Sequence, residues 1–495
     1  MDHLNGIYAF AVWEAGRQRL FLARDRMGVK PLFFTQRAGR FLFASEIKTL
    51  LAHPAVPAQI DAQGVAELML IGPGRTPGYG VFRGVEELEP GHCAVYADGR
   101  LSVRRYWQVQ DAPFADTPAQ AIERVRALVT QAVERQLVSD VPLCTFLSGG
   151  LDSSLLSALA QAHLQRAGEP PLHTFSVDYR DNARYFQASH FQPNADGVYI
   201  EQMTDFLGTV HHNIVLDTPA LVDALFEAVQ ARDLPGMADV DASLLLFCRA
   251  VKAHATVALS GECADEVFGG YPWFRDPDIR DADGFPWAQS TPYRATFLTP
   301  DFARKIDAEA YVHDRYASAL QKADVLPGQS ALDTRQKQMM RLNLDGFMQT
   351  LLDRKDRMSM YSGLEVRVPF CDAPLVEYLY AMPWHIKEYQ GREKGILRKA
   401  MQGVLPEGVL WRKKSPYPKT HHPAYRAAVT ARMQALLDAG DAPLFAFVDR
   451  AALTRLLQDD TAQPFYGQLM TTPQTIAYFL QMDYWLRHYH VQLVG

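Results

Sequence analysis

The strongest constraint on this chain is one short stretch, Leu147-Ser148-Gly149-Gly150-Leu151-Asp152-Ser153-Ser154. An apolar run over residues 142–147 precedes it and reads as a strand, and residues 153–167 after it read as a helix. Adjacent glycines let backbone approach a ligand closely and permit positive φ. The N–H groups that open a helix, backed by the helix dipole, form an anion site. Ser148, Ser153 and Ser154 add hydroxyls. Asp152 would repel a phosphate unless a cation lay between, so it reads as a Mg²⁺ ligand. No GxxxxGK[ST] sequence occurs, which excludes γ-phosphate chemistry of the P-loop kind.

Around this turn, strands alternate with helices. Residues 173–177, 212–216 and 256–260 read as strands and 219–231 as a helix, which implies a parallel, doubly wound sheet with its ligand at the carboxyl ends of the strands. From about residue 288 the chain reads as mostly helical. Upstream, Thr117 as N-cap, Pro118 at the first helical position and Gln120 completing a capping box start a helix carried by Ile122, Val125, Val129, Val133 and Leu137. A linker over 111–118 rich in Asp, Ala and Pro precedes it, so the domain boundary falls near Thr117, giving units 1–116 and 117–495. The first unit is a meander of short strands over 6–13, 20–23, 31–35 and 40–44. The glycine-rich segment 72–78 is a turn, because Pro77 stands where the third glycine of GxGxxG would be.

At 495 residues, two or three domains are expected. The net charge of -6 offers no basic field for nucleic acid. No apolar run is long enough to span a membrane, and the start, Met1-Asp2-His3, carries no signal pattern. The cysteines, Cys93, Cys144, Cys248, Cys263 and Cys371, are odd in number and widely spaced, which suits free thiols in a reducing cytoplasm.

Three further clusters carry chemistry. Residues 260–271, Ser-Gly-Glu-Cys-Ala-Asp-Glu-Val-Phe-Gly-Gly-Tyr, again follow a strand and concentrate Glu262, Asp265 and Glu266, a packing that is costly unless a cation or a proton is shared. In 357–372, Arg367 sits among apolar residues and reads as a structural salt-bridge partner. In 391–414, Lys394 opens a helix; its own pattern, like that of Arg412-Lys413-Lys414, reads as a solvated basic face, with Arg412-Lys413-Lys414 alternatively a second layer behind a phosphate. The pairs His211-His212 and His421-His422 lack metal spacing and read as structural, and 276–283 reads as an acidic surface loop.

SGGLDS resembles the pyrophosphate loop of ATP pyrophosphatases. Together with SGECADEVFGGY, DRMSMYSGLEVRVPFCD and EKGILRKAMQGVLPEGVLWRKK in that order, it resembles the asparagine synthetase family in its class B, glutamine-dependent form, over nearly the whole chain. The resemblance implies an α/β fold: a C-terminal ATP-pyrophosphatase-type doubly wound sheet with added helices, preceded by part of a β-rich N-terminal-nucleophile glutaminase domain. It implies ATP-dependent amidation of aspartate through β-aspartyl-AMP, releasing AMP and PPi. Leu147, Ser148, Gly149, Gly150, Asp152, Ser153, Val177, Ser260 and Gly261 would hold ATP. Asp152 and Asp265 would hold Mg²⁺ on PPi. Glu262 would support the adenylate and ammonia step, and Lys394 would stabilise charge on the phosphoryl oxygens. A cytoplasmic homodimer is implied by the same analogy. The loop 232–241 is a candidate wall of the amino-acid pocket.

The N-terminal segments Leu4 to Ala11, Arg24-Asp25-Arg26-Met27-Gly28-Val29-Lys30-Pro31-Leu32, Ser45-Glu46-Ile47-Lys48 and 82–92 resemble only the later part of the family's glutaminase domain. Position 2, where the family's nucleophilic cysteine follows Met, is Asp2, and neither Cys93 nor Cys144 is N-terminal. Ammonia is therefore the expected nitrogen donor of this sequence, and glutamine the donor if a glutaminase half lies upstream. A fragment or misassigned start competes with a natural ammonia-using form, and the open strand edges of a partial sandwich weigh toward the first. The alternatives carried alongside are a natural-product amide ligase or cyclase of the same family, a non-catalytic regulatory homologue, and a tRNA-modifying relative, which the charge does not support.

Overall fold

The computed structural model describes residues 1, 3–186, 196–414, 417–459, 463–467 and 470–495. Asp2 lies outside the described residues.

The N-terminal unit folds as two antiparallel sheets. One runs Ala9–Glu14, Arg19–Arg24, His92–Ala97, Arg100–Arg105; the other runs Arg40–Ala44, Phe33–Arg37, Glu86–Glu87. Leu22, Leu32, Phe34, Leu88 and Ala94 form the small core between them, and the rings of Phe41 and Tyr96 stack at 4.6 Å. The strands expected from apolar alternation are all present, their ends shifted by at most three residues.

The helix Pro118–Gln136 starts as its sequence requires. Thr117 accepts from the Gln120 amide at 3.4 Å, and the Gln120 side chain accepts from the Thr117 amide at 2.9 Å. The linker before it is pinned. Asp111 is buried, pairs with Lys337 and accepts from the Leu326 amide at 2.9 Å.

A wholly parallel five-stranded sheet forms the next layer, in the order Val210–Leu216, His173–Tyr179, Leu143–Phe146, Val257–Leu259, Glu365–Arg367. The chain reverses its winding direction between Leu143–Phe146 and Val257–Leu259, so the loops that leave those two strands part company and open a crevice. The last strand, the helix Asp239–Lys252 and the helix Gly197–Leu207 are additions to the elements read from sequence. Asp239–Lys252 has no side-chain N-cap to mark its start. The segment 232–241, read as a loop, therefore ends as helix. Arg367 sits on the edge strand, bonds Glu365 at 2.7 Å and donates to the carbonyls of Gln136 and Val138. Its expected structural role holds, but on a partly exposed edge. The acidic stretch 276–283 contains a short helix, Pro277–Arg280, capped by Asp276.

The two units interlock through charged residues. Lys30 pairs with Asp356 at 2.7 Å, Lys48 with Asp233 at 3.1 Å, and Arg357 with both Asp233 (2.8 Å) and Glu46 (3.2 Å). Asp25 is buried and accepts from the amides of Met27, Val29 and Lys30, which shapes the loop that presents Lys30.

Candidate functional site

The crevice at the carboxyl ends of the strands is a cavity of about 260 Å³. Leu147, Ser148, Gly150, Asp152, Ser153, Val177, Ser260, Gly261, Glu262, Asp265 and Lys394 all line it. Gly149 does not. It adopts φ +68°, and a Cβ there would lie 2.7 Å from the Tyr199 Cβ.

The first loop is held open by its own hydroxyls. Ser153 Oγ accepts from the Ser148 amide at 3.1 Å and lies 2.9 Å from Ser148 Oγ. No side chain caps the helix Leu151–Ala167, so its first amides remain for a ligand. The second loop packs directly on the first. A Cβ on Gly261 would sit 3.0 Å from both the Asp152 Cβ and the Ser153 amide nitrogen, so glycine is required for the two loops to touch.

Each carboxylate of the acidic cluster is answered differently. Glu262 faces Lys355 at 3.2 Å and Arg354 at 3.4 Å. Asp265 faces Lys394 at 2.6 Å and Lys414 at 2.5 Å. Burial works to raise the Asp265 pKa, but the two lysines outweigh it and hold the carboxyl well below its usual range. Glu266 makes no ion pair among the described residues and accepts from the Tyr271 hydroxyl at 2.6 Å. Burial, with Asp265 alongside, pushes it up to about 7. Cations thus serve two carboxylates and a proton the third, the compensation that their crowding demands.

Lys394 lies at the centre. Its side chain is 2% exposed and bridges Asp152 (2.5 Å) and Asp265 (2.6 Å). Both carboxylates raise its pKa against the pull of burial, so it stays charged. The reading of Lys394 as solvated face is overturned, and so is that of Arg412-Lys413-Lys414. Arg412 is buried, donates to the Gly149 carbonyl at 3.0 Å and lies 3.9 Å from the Tyr199 ring centre. Lys414 joins Asp265. Of the three, Lys413 alone is exposed. Basic runs have no intrinsic facing, and only the fold turns these two inward.

Arg354 and Lys355 are site residues that sequence reasoning passed over. Both are buried on the helix Met348–Tyr361, and Arg354 also pairs with Asp241 at 3.1 Å. Adjacent cations ahead of DRMSM were the available signal. The segment 232–241 supplies Met237 and Val240 to the cavity, while Asp233 serves the junction between the units.

Magnesium fits the donors present. Asp152 Oδ1 is buried without a hydrogen-bond partner. A hard oxygen with a spare lone pair beside an anion site suits a cation that binds through one or two carboxylates plus substrate phosphates. Among the described residues no group of three or more His, Cys, Asp or Glu forms a metal cage. His211 shares hydrogen bonds with the hydroxyls of Thr174 and Ser176, each at 2.9 Å, and His422 caps the helix Pro423–Ala439. All five cysteines are free and buried. No helix among the described residues is long and apolar enough to cross a membrane.

The family model described as Asparagine synthase matches residues 124–487, and that described as Glutamine amidotransferase domain matches residues 1–107. The chain is 49% identical over 496 residues to asparagine synthetase [glutamine-hydrolyzing] 3 of Bacillus subtilis, covering 100% of this chain and 80% of that protein. It is 28% identical to asparagine synthetase [glutamine-hydrolyzing] 1 of the same organism, covering 84% of this chain and 68% of that one. It is 27% identical to amidase chry2 of Gibberella zeae, covering 84% and 70%.

Proposed function

This chain belongs to the asparagine synthase family, and we propose on that premise that it amidates aspartate to asparagine at the expense of ATP, releasing AMP and PPi. The observation that carries the reading is Lys394 held between Asp152 and Asp265, where the two glycine-bearing loops meet.

ATP lies along the first loop, its phosphates on the open amides of 151–153 and the hydroxyls of Ser148 and Ser153, its nucleoside against Leu147, Val177, Ser260 and Gly261. Gly149 keeps the turn tight enough for this approach. Lys394 and Lys414 meet the charge that gathers on the phosphoryl oxygens, in a buried setting where such contacts are strongest. Magnesium on Asp152 and Asp265, when bound, supplies charge neutralisation of PPi. A side-chain oxygen of aspartate attacks the α-phosphorus, the bond to the bridging oxygen breaks, and PPi leaves. Ammonia then attacks the acyl carbon of β-aspartyl-AMP, the carbon–oxygen bond to AMP breaks, and Glu262 accepts the ammonia-derived proton. Lys355 and Arg354 hold Glu262 in place for that transfer.

Residues 1–116 form the partial class II glutamine amidotransferase unit of this reading and 117–495 the synthetase unit. Nitrogen enters as ammonia or from glutamine. The protein acts as a cytoplasmic homodimer, without nucleic acid or membrane as partner. The test is product analysis of the purified chain with ATP, Mg²⁺ and aspartate, with ammonium or glutamine. Asparagine, AMP and PPi in equal amounts from ammonium are expected. ADP and phosphate, or PPi without asparagine, would overturn the assignment.

A further inference from the structure

A second cavity, of about 160 Å³, lies away from the reaction site, at the junction of the two units. Four cationic side chains line it, Arg26 and Arg105 from the N-terminal unit and Lys322 and Arg341 from the C-terminal one, against two carboxylates, Glu89 and Asp345. Both carboxylates are already matched, Glu89 by Lys322 at 2.9 Å and Asp345 by Nε of Arg341 at 2.9 Å. Arg26 and Arg105 make no ion pair among the described residues. Two atoms of the lining are also left over. Arg26 Nε and Gln108 Oε1 are buried with no hydrogen-bond partner. A surplus of guanidinium and a paired orphan donor and acceptor call for a ligand that brings negative charge. The space is smaller than the reaction cavity, about 160 against 260 Å³, which favours a ligand smaller than a nucleotide.

We propose that this junction cavity binds a small dicarboxylate of four or five carbons. One carboxylate engages the Arg26 and Arg105 guanidinium groups, which favour bidentate contact. The other meets the terminal nitrogens of Arg341 and the Lys322 ammonium, and Gln108 Oε1 accepts from an ammonium or hydroxyl on the ligand. Such a ligand touches both units and stabilises their docking by mass action. The site shares no lining residue with the reaction cavity, so the inference stands apart from the proposed activity.

Calorimetric titration of the full chain with succinate and with L-glutamate, and with acetate as the monoacid control, tests it. Saturable binding of the two diacids is expected, weakened about tenfold or more in Arg26→Gln. Arg105→Gln, at an exposed position, gives the same direction should Arg26→Gln fail to fold. Lys394→Ala, in the reaction cavity, keeps the binding. The proposal falls if the wild-type chain binds neither diacid, if acetate binds as tightly, if both arginine variants bind unchanged, or if Lys394→Ala abolishes the signal.

Discussion

The N-terminal unit closes over five apolar residues between its sheets and leaves Val12 and Trp13 about half exposed, at 52% and 55%. The C-terminal unit buries apolar side chains throughout and, among them, Arg354, Lys355, Lys394 and Arg412. A core of that size can hold charged groups in fixed positions away from water, where each is worth more to a reacting phosphate. The smaller unit has no such reserve. Two of its buried charges, Asp25 and Arg24, shape the loop that grips its neighbour. Buried charge in the smaller unit goes to its own loops and to attachment, whereas the larger unit gathers it at the cavity as well as at the junction.

The sharpest way to break this contrast is Lys394→Ala. It removes the shared cation of Asp152 and Asp265 and leaves the N-terminal unit untouched. Exchange of labelled PPi into ATP should fall by about 10²–10³ or more, while the strand signal of circular dichroism is retained. Exchange at the wild-type rate would show that Lys394 is only a structural counter-ion.

Arg357→Ala attacks the attachment side. Arg357 is buried and spans Asp233 and Glu46, so its loss leaves Asp233 with Lys48 and the Ile47 amide. Removing one partner of a buried ion pair costs about 3–5 kcal/mol. Urea titration should show that loss, with the N-terminal unit unfolding first. A loss below about 1 kcal/mol would mean that the Arg357 pairs add little to the attachment.

The third test uses pH. Glu266, pushed up to about 7 from an ordinary 4.5, keeps its proton in the folded chain where the unfolded chain releases it. Between those values the folded state binds more protons, so stability is full below about 4.5 and is lost as pH rises through 7. Glu266→Gln should remove that slope, on the order of 3 kcal/mol across the window. An unchanged pH profile of denaturation midpoints would place the proton elsewhere. No residue of the N-terminal sheets should give a comparable effect.

What sequence could reveal divides along the same line. The turn 147–154 was legible because strand, glycines and helix start are local, and the structure places its predicted residues at the cavity except Gly149, whose glycine serves the turn, and Ser154, which is buried away from it. The capping box at Thr117 was legible for the same reason. Arg412 and Lys414 were not, because a basic run looks alike whether solvated or folded onto Asp265 some 150 residues away in sequence. Asp239–Lys252 was missed because no side-chain N-cap marks its start and its first residues fall in a segment that reads as a loop. Asp233 could not be separated from the amino-acid pocket, since its partners, Lys48 and Arg357, lie in distant segments.

The smallest effect belongs to Trp13. It lies on an outer strand at 55% exposure, whereas Trp485, in the C-terminal unit, is fully buried and donates to the Asp233 carbonyl at 2.9 Å. Trp485→Ala opens a void and should cost about 3–5 kcal/mol. Trp13→Ser gives up only contacts on an open face, and substitutions of that kind stay within about 0.5 kcal/mol. Urea titration of the two variants side by side measures the difference directly. A loss above about 2 kcal/mol in Trp13→Ser would mean that the outer strand is covered in solution, and that the N-terminal unit holds together through that covered face as well as through its charged grip on the larger unit.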